Sequence, residues 1–268
     1  MNLVIIGTGN VATSLGTAFL NAGHTILQVA GRNRNSTQKL STLLKALPVF
    51  LPHKVLPNAD FYIIAVKDDA IEEMSAYTAA AKGIVVHTSG AVPLHQLTKH
   101  HLRAGVLYPL DTISHGNPES YKNVPICIEG SKPAVTTSIK KLAATVSDKV
   151  YKVSSEQRAL LHLAAVFANN FTNYIFSLSG AIMRNGKLPE ALLHELIRST
   201  ARNAIHPGPD QSQTGPAVRN DKVTIQKHQK LLSGKPELRA IYKLLTNDIV
   251  KASSKRKVKT INRTKSKK

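Results

Sequence analysis

Two patterns of apolar spacing alternate over the first part of the chain, and only one of them continues through the rest. Over residues 2–153, short apolar runs alternate with segments whose apolar positions recur every three or four residues. The runs are typical of buried strands, and the wider spacing is typical of helices with one apolar face. Strands are predicted at 3–6, 25–30, 60–66, 83–86, 104–108, 124–128 and 149–153. This alternation predicts an α/β fold with a doubly wound sheet over residues 1–153.

The strand-like runs end before residue 154, and helical periodicity continues from there. Leu160, Leu163 and Phe167 belong to an apolar series with three- and four-residue steps, which predicts a long helix over 155–184. Further helices are predicted at 189–205, 218–232 and 236–250. The pattern predicts an all-helical C-terminal domain over 154–250. Its long apolar helix favours a dimer surface, with a monomeric bundle as the alternative.

A glycine motif joins the first predicted strand to the first predicted helix. Gly7, Gly9 and Ala12 have the spacing G-x-G-x-x-A that is typical of Rossmann-type dinucleotide sites. Gly7 allows the sharp turn, Gly9 lets a pyrophosphate approach the backbone, and Ala12 lets the helix pack closely on the strand. The backbone N–H groups of Asn10 and Val11 would face the phosphates. The motif predicts nucleotide binding, and a purely structural turn is the alternative.

The turn after the second predicted strand indicates which dinucleotide is bound. A site for NAD usually has Asp or Glu at this position to hold the ribose hydroxyls. This chain has Gly31, Arg32 and Asn33 instead. A guanidinium group suits bidentate contact with a 2′-phosphate, so Arg32 and Asn33 predict NADP rather than NAD. A solvated basic turn is the alternative.

Two hydroxyl residues follow the strand predicted at 83–86. Thr88 and Ser89 come where this strand ends, and open α/β sheets bind ligands beyond the carboxyl ends of their strands. Their hydroxyl groups are therefore candidates to hydrogen-bond a nicotinamide or a substrate oxygen. Capping of a turn is an equally simple role for both residues.

Polar residues on the long helix are candidates for substrate contact. His162, Asn169 and Asn173 are spaced seven and four residues apart and share one helical face, with Asn170 beside them. Such a face could bind a substrate carboxylate or carbonyl, and His162 could donate a proton. A solvated stripe or helix–helix hydrogen bonds are the alternative.

Basic residues greatly outnumber acidic ones, and many of them lie in the last segment. The chain has 36 Lys and Arg against 16 Asp and Glu, a formal net charge of +20. Residues 251–268 contain nine of the basic residues and no acidic one, which predicts a disordered tail. Contact with nucleic acid or an anionic surface is one role for it. A solubilising extension is favoured, because no aromatic residues are interleaved with the charges.

Cysteine content and hydropathy indicate where the protein resides. Cys127 is the single cysteine, so no intrachain disulfide can form, and a reducing cytoplasm is predicted. Its apolar surroundings in the sequence predict a buried strand thiol. No apolar run is long enough to cross a bilayer, and the first residues lack the pattern of a signal peptide.

Four histidines raise the question of a metal site. His95, His100, His101 and His115 occur within a short stretch of the chain. No pair of them has a familiar ligand spacing on a predicted helix. No metal site is therefore predicted.

Six motifs together resemble a known family. In chain order they are GTGNVA, IAVKDDAI, HTSGA, YPLDTIS, HLAAVFANNFTN and TGPAVRND. Over about residues 2–250 the chain resembles the Rossmann-like proteins that carry a DUF2520 domain. That family is similar to the 6-phosphogluconate dehydrogenase-like and pyrroline-5-carboxylate reductase-like oxidoreductases. The resemblance implies an NADP-binding Rossmann-type domain, an all-helical C-terminal domain and a homodimer.

The resemblance also implies roles for individual residues. It places the phosphates on the glycine loop and the ribose phosphate at Arg32 and Asn33. The residues implied near the nicotinamide are Ala65, Val66, Asp68, Thr88, Ser89 and Pro109. Related hydroxyacid dehydrogenases have a lysine on the long helix about where this chain has His162, which disfavours ordinary alcohol dehydrogenation.

The predicted function follows from these assignments. It is NADP-dependent hydride transfer to or from a small carbonyl or imine, bound between the two domains. Ser89, His162, Asn169 and Asn170 are the candidates for contact with this substrate. A catalytically inactive NADP-binding sensor or scaffold is the alternative.

Overall fold

The computed structural model describes residues 1–56, 58–112 and 121–265, and the chain forms two compact units. These units are Met1–Thr172 and Asn173–Lys268. The sequence predicts a boundary after residue 153, but the first unit continues through the helical segment that follows. That segment belongs with the sheet because its Arg158 is fully buried and forms an ion pair with Glu129.

The first unit is built on one eight-stranded sheet. Its strands are β1 (Asn2–Ile6), β2 (Thr25–Gly31), β3 (Leu47–Phe50), β4 (Phe61–Ile64), β5 (Ile84–His87), β6 (Ala104–Pro109), β7 (Ile126–Gly130) and β8 (Val150–Lys152). Their order is β3-β2-β1-β4-β5-β6-β7-β8, and every neighbouring pair is parallel except β6 with β7. The predicted doubly wound α/β fold is confirmed.

Side chains of the central strands are buried on both faces of the sheet. Leu3 and Ile5 of β1 join one apolar cluster, and Val4 and Ile6 join the other. A strand that is covered on both faces has no need for polar alternation, which explains the continuous apolar runs in the sequence. The edge strand β3 contains Pro48, and an edge position tolerates a residue without a backbone N–H.

Helices connect the strands and then form the rest of the chain. In the first unit they are α1 (Asn10–Asn21), α2 (Arg34–Leu43), α3 (Ile71–Tyr77), α4 (His95–Thr98), α5 (Pro133–Ala143) and α6 (Ser155–Ala165). From Thr172 onward they are α7 (Thr172–Asn185), α8 (His194–Ile205), α9 (Pro209–Ser212), α10 (Pro216–Arg219), α11 (Lys222–Leu231) and α12 (Pro236–Lys265). Short 3₁₀ turns span Asp68–Ala70, Tyr121–Asn123 and Glu190–Leu193.

A π-helical segment, Val166–Phe171, interrupts the long helix predicted over 155–184. A π-helix closes its hydrogen bonds over five residues instead of four, so the residues after it are displaced around the helix axis. The predicted shared face of His162, Asn169 and Asn173 requires a regular α-helix between them. That segment is π-helical instead, and Asn173 begins the second compact unit.

The second unit differs from the first in how little it buries. Ala217 and Leu232 are the buried apolar side chains in its described part, whereas Leu192, Leu196 and Ile205 are each more than half exposed. Helix α12 also continues to Lys265, through most of the segment predicted to be disordered. Lysine and arginine are good helix formers, and extending an existing helix avoids the cost of nucleation.

Candidate functional site

A cavity of about 790 Å³ opens where the order of the strands reverses, at the carboxyl ends of β1 and β4. The chain runs outward from β1 through β2 to β3 on one side and then crosses to β4 on the other side of β1, which creates the crevice where open α/β sheets bind ligands. Residues that follow β1, β2, β4 and β5 contribute to its lining. The lining is Ile6, Gly7, Thr8, Gly9, Asn10, Val11, Ala30, Gly31, Arg32, Asn33, Leu51, Ala65, Val66, Lys67, Asp69, Ala70, Met74 and Thr88.

The two positions of the loop after β1 hold glycine for different structural reasons. Gly7 has φ of 117°, and a Cβ atom there would lie 2.1 Å from the carbonyl oxygen of Ala65. A Cβ atom on Gly9 would meet nothing within 4 Å. Gly7 is therefore required by the fold, while Gly9 keeps the loop bare beside open space. Ala12 is fully buried in the core and does not line the cavity.

The turn after β2 brings a positive charge to the cavity. Arg32 lines it and forms an ion pair with Glu73 of helix α3. Asn33 lines it as well, and its side chain accepts a hydrogen bond from the backbone N–H of Ser36 at 2.9 Å. This contact caps helix α2, so Asn33 has a structural role in addition to its place in the lining.

A second cavity of about 700 Å³ adjoins the first, because Val11 and Thr88 line both. Tyr108 and His162 face each other in it, with Asn169 and Asn170 of the π-helical segment nearby. The full lining is Val11, Thr88, Tyr108, Pro109, Leu110, Asp111, Thr112, Leu161, His162, Ala164, Ala165, Val166, Ala168, Asn169 and Asn170. These residues all belong to the first unit, although the sequence assigned them to two domains.

The pair of Tyr108 and His162 is the chemically most distinctive feature of the second cavity. The tyrosine Oη lies 3.2 Å from the histidine Nδ1, and the rings meet edge to face with centroids 6.1 Å apart. Burial raises the pKa of Tyr108, and Cys127 and Asp68 raise it further, whereas Arg158 lowers it. The phenol therefore stays protonated near neutral pH and can donate its hydrogen bond to the imidazole.

The backbone of Gly90 makes room for this pair. A Cβ atom there would lie 2.7 Å from Nδ1 of His162 and 2.8 Å from Cζ of Tyr108. Any larger residue would push the two rings apart or away from the turn after β5. The glycine of the HTSGA motif is therefore explained by close approach of two side chains.

A buried ion pair fixes the helix that carries His162. Arg158 lies four residues before His162 on α6, pairs with Glu129 of β7 and donates to the carbonyl of Val92 at 2.6 Å. The hydroxyl of Ser155 also donates to Glu129, at 2.8 Å. These contacts hold the first turns of α6 against the sheet, one turn away from His162.

The turn after β5 is held by a buried histidine, His87. The ring of His87 accepts the backbone N–H of Ser89 on Nδ1 at 3.2 Å. Burial, and after it the positive charge of Arg158, lower the pKa of His87 to about 3. His87 is therefore neutral at physiological pH and serves the structure of the turn, without exchanging protons there.

Comparisons with known proteins agree with this architecture. Residues 1–108 match the model of a Rossmann-like domain, and residues 124–249 match DUF2520, a domain of unknown function. A candidate NADP oxidoreductase from Bacteroides fragilis is 34% identical, with a TM-score of 0.87 over 93% of this chain and 98% of that chain. The chain belongs to the Rossmann-like, DUF2520-containing family.

Structures more distant from this DUF2520 protein share its fold. A Thermotoga maritima protein is 21% identical, with a TM-score of 0.72 and coverage of 95% of this chain and 99% of that chain. An imine reductase from Myxococcus stipitatus, solved with NADP⁺, is 15% identical, with a TM-score of 0.62 and coverage of 95% and 93%. No protein with a curated function matches the sequence.

Most predicted cofactor residues of the DUF2520 protein lie together at the first cavity. Those that line it are Gly7, Gly9, Asn10, Val11, Arg32, Asn33, Ala65, Val66 and Thr88. Asp68 does not line it, and Asp69 does, because the 3₁₀ turn at this point presents the second acid to the crevice. Their contacts with a nucleotide stay predictions.

Among the predicted substrate residues, His162, Asn169 and Asn170 are brought together and Ser89 is not. The hydroxyl oxygen of Ser89 accepts the backbone N–H groups of Ala91 and Val92 at 3.0 Å each. This contact is the turn cap that the sequence left open as an alternative. Tyr108 was missed as a site residue, although it stands in a motif, YPLDTIS, whose last residues lie outside those described.

The described residues hold neither a metal-binding cluster nor a membrane-spanning helix. No three His, Cys, Asp or Glu side chains within 1–56, 58–112 and 121–265 come close enough to share a metal ion. His115, one of the histidines considered for such a site, lies outside this part of the chain. In the same part, no helix has the length and apolar content needed to cross a membrane.

Proposed function

We propose that this protein is an NADP(H)-dependent oxidoreductase that transfers a hydride to or from a small carbonyl or imine substrate. The observation that carries the proposal is the junction of two cavities at Val11 and Thr88. One cavity is bordered by the glycine loop, and the other by Tyr108 and His162. The 34% identity with a candidate NADP oxidoreductase supports the same class of activity.

The residues of the first cavity fit a phosphorylated dinucleotide. The bare backbone at Gly9 would let the pyrophosphate approach the start of helix α1, which carries a partial positive charge. Arg32 and Asn33 would hold the 2′-phosphate at the end of β2. When bound, the nicotinamide supplies or accepts the hydride, and the protein sets its orientation.

Tyr108 and His162 would move the proton that accompanies the hydride. His162 would accept the hydrogen bond of the phenol on Nδ1 and carry its own proton on Nε2. The Nε2 proton would pass to a carbonyl oxygen or an imine nitrogen in the second cavity while the phenol proton passes to Nδ1, and the Tyr108 oxygen would then regain a proton from water. Asn169 and Asn170 add amide groups that can orient the polar end of the substrate.

A homodimer is part of the proposal. Leu163, Phe167 and Phe171 are each more than half exposed on the helical end of the first unit, and the two phenylalanine rings pack edge to face. Contiguous exposed apolar side chains of this kind mark interaction surfaces. The described part of the second unit also buries too little apolar surface for a core of its own. A second copy of the chain would cover the exposed apolar side chains of each unit.

Calorimetric titration of NADPH and NADH into the full chain tests the cofactor. Micromolar binding of NADPH that weakens in Arg32→Gln is expected. Arg34→Gln is the matched control, since it removes the same charge two residues later from a side chain that stacks on Phe50 outside the cavity. Absence of binding by either nucleotide would refute the oxidoreductase proposal.

A turnover assay separates an enzyme from a nucleotide sensor. NADPH oxidation would be followed in the presence of small cyclic imines and ketones, with the wild type and His162→Ala compared. Turnover that falls at least tenfold in the variant while NADPH affinity is kept supports the proposed chemistry. NADPH binding without turnover of any substrate favours the sensor.

Sedimentation velocity over a range of concentrations tests the dimer. The wild type is expected to sediment as a dimer and Phe167→Glu as a monomer. Leu102→Glu, which places the same charge at an exposed leucine between α4 and β6, is the control and should remain dimeric. A monomeric wild type at the highest concentration would refute the dimer.

A further inference from the structure

We infer that Glu73 limits the preference of the nucleotide site for NADP over NAD by competing with the 2′-phosphate for Arg32. The inference rests on the proposed function. Its starting point is the ion pair between Nη2 of Arg32 and Oε2 of Glu73. The sequence alone predicts contact between Arg32 and the phosphate and indicates no role for Glu73.

The ion pair joins two elements that flank the first cavity. Arg32 belongs to the turn after β2 and lines the cavity. Glu73 belongs to helix α3, and Met74 of this helix and Ala70 of the turn before it also line the cavity. Glu73 is therefore beside one lining residue and about one turn from another. The two charged side chains remain 62% and 63% exposed, so both are accessible to a ligand that enters from solvent.

NADP and NAD would interact differently with the ion pair of Arg32 and Glu73. A 2′-phosphate needs the guanidinium as its counterion and is repelled by the neighbouring carboxylate. A 2′-hydroxyl carries no charge and can donate a hydrogen bond to a carboxylate, as the acidic residue of NAD sites usually accepts one. Glu73 therefore weakens NADPH binding and leaves NADH binding unchanged or slightly stronger.

Helix α3 offers a matched control in the neighbouring residue. Glu72 forms an exposed ion pair of the same kind with Lys99, at 2.5 Å, and neither residue lines the first cavity. Glu72→Gln and Glu73→Gln remove the same charge from adjacent positions of one helix. A general effect of net charge on the binding of an anionic nucleotide would appear in both variants, while competition for Arg32 would appear only in Glu73→Gln.

Calorimetry on the full chain measures the dissociation constants of NADPH and NADH for wild type, Glu73→Gln and Glu72→Gln. We expect Glu73→Gln to bind NADPH up to about fivefold more tightly, the ratio that corresponds to the upper end of exposed ion-pair energies. NADH affinity should stay unchanged or fall. Unchanged NADPH and NADH affinities in Glu73→Gln, or equal gains in both glutamine variants, would overturn the inference and leave the proposed function intact.

A double variant tests whether Glu73 acts through Arg32. In an Arg32→Gln background, Glu73→Gln should no longer improve NADPH binding, because the contested guanidinium is gone. An equal improvement in both backgrounds would overturn competition for Arg32. If the wild type bound neither nucleotide, the proposed function and this inference would fail together. If the nucleotides bound but Glu73→Gln left the ratio of the NADPH and NADH dissociation constants unchanged, only this inference would fail.

Discussion

The phenol of Tyr108 and the imidazole of His162 are 3.2 Å apart across the second cavity, although 54 residues separate them in the sequence. Strand β6 supplies the tyrosine and helix α6 supplies the histidine. Each residue alone would be an ordinary polar group beside an apolar cavity. Together they form a hydrogen-bonded pair that can deliver a proton to a bound substrate.

Removal of the phenol hydroxyl tests this pair. Tyr108→Phe should lower kcat at least tenfold, because His162 loses the partner that orients its ring and replaces the proton it gives to the substrate. NADPH affinity should change little, since Tyr108 does not line the first cavity. Steady-state kinetics and calorimetry make the comparison. An unchanged kcat would exclude the tyrosine from the proton transfer.

The space at Gly90 gives a second prediction. Gly90→Ala places a Cβ atom within 3 Å of both rings, so turnover should fall while the nucleotide still binds. Gly186→Ala is a suitable control, because its Cβ atom would make only ordinary contacts at 3.5 Å. Equal kcat in the two variants would show that the geometry of the ring pair does not govern turnover.

The two glycines of the nucleotide loop should respond to alanine in opposite ways. Gly7→Ala combines a left-handed φ with a clash against Ala65, so it should lower the free energy of unfolding by about 1–3 kcal/mol or more. Gly9→Ala has open space and should leave stability unchanged while it weakens NADPH binding. Urea unfolding and calorimetry on both variants separate the two effects. A stable Gly7→Ala protein would contradict the strain argument.

The ion pair of Arg158 and Glu129 predicts strong coupling. Arg158→Leu leaves the carboxylate of Glu129 without its buried partner and should cost about 3–5 kcal/mol of stability. The double variant Arg158→Leu with Glu129→Leu should be more stable than the sum of the single losses predicts, because no unpaired charge remains. A double-mutant cycle from urea unfolding measures this difference. Strict additivity would show that the two residues do not interact.

His87 predicts sensitivity to acid. Its pKa is about 3 in the folded chain and about 6.5 in an unfolded one, so above pH 6.5 the ring is neutral in both states. As the pH falls from 6.5 toward 3, the unfolded chain takes up a proton that the folded chain does not. The free energy of unfolding should therefore drop by up to about 1.4 kcal/mol per pH unit from this group.

A non-titrating variant checks the assignment to His87. His87→Asn should show a shallower loss of stability between pH 6.5 and 4 than the wild type. His95→Asn removes an exposed histidine and should keep the wild-type slope. If the free energy of unfolding fell equally steeply with pH in wild type and His87→Asn, other groups would be the cause of the acid sensitivity.

The sheet could be predicted from sequence because its signal is local. Strands such as β1 and β4 are almost entirely apolar, since both faces of the sheet are covered, and the glycine motif marks the turn at the switch point. The same locality explains why the residues of the first cavity were found. They stand directly after strands, where the chain must turn.

The residues of the second cavity are brought together by tertiary contacts, which the spacing of residues in the sequence does not predict. Tyr108 and His162 meet only because β6 and α6 pack together, and a π-helical segment interrupts the regular α-helical spacing after His162. Arg158 also looks like a surface residue of an amphipathic helix, yet it is fully buried. An acidic residue at the end of an apolar strand, Glu129, was the one available signal that a buried cation was needed.

The position of Cys127 allows local opening of the sheet to be measured with a natural residue. This single thiol lies opposite Tyr108 in the antiparallel pairing of β6 and β7, is buried, and has its pKa raised by burial. Both features suppress reaction with thiol reagents while the strands remain paired. The labelling rate of the native protein therefore measures how often this part of the sheet opens, with no engineered probe, and a ligand bound in the neighbouring cavity would slow it.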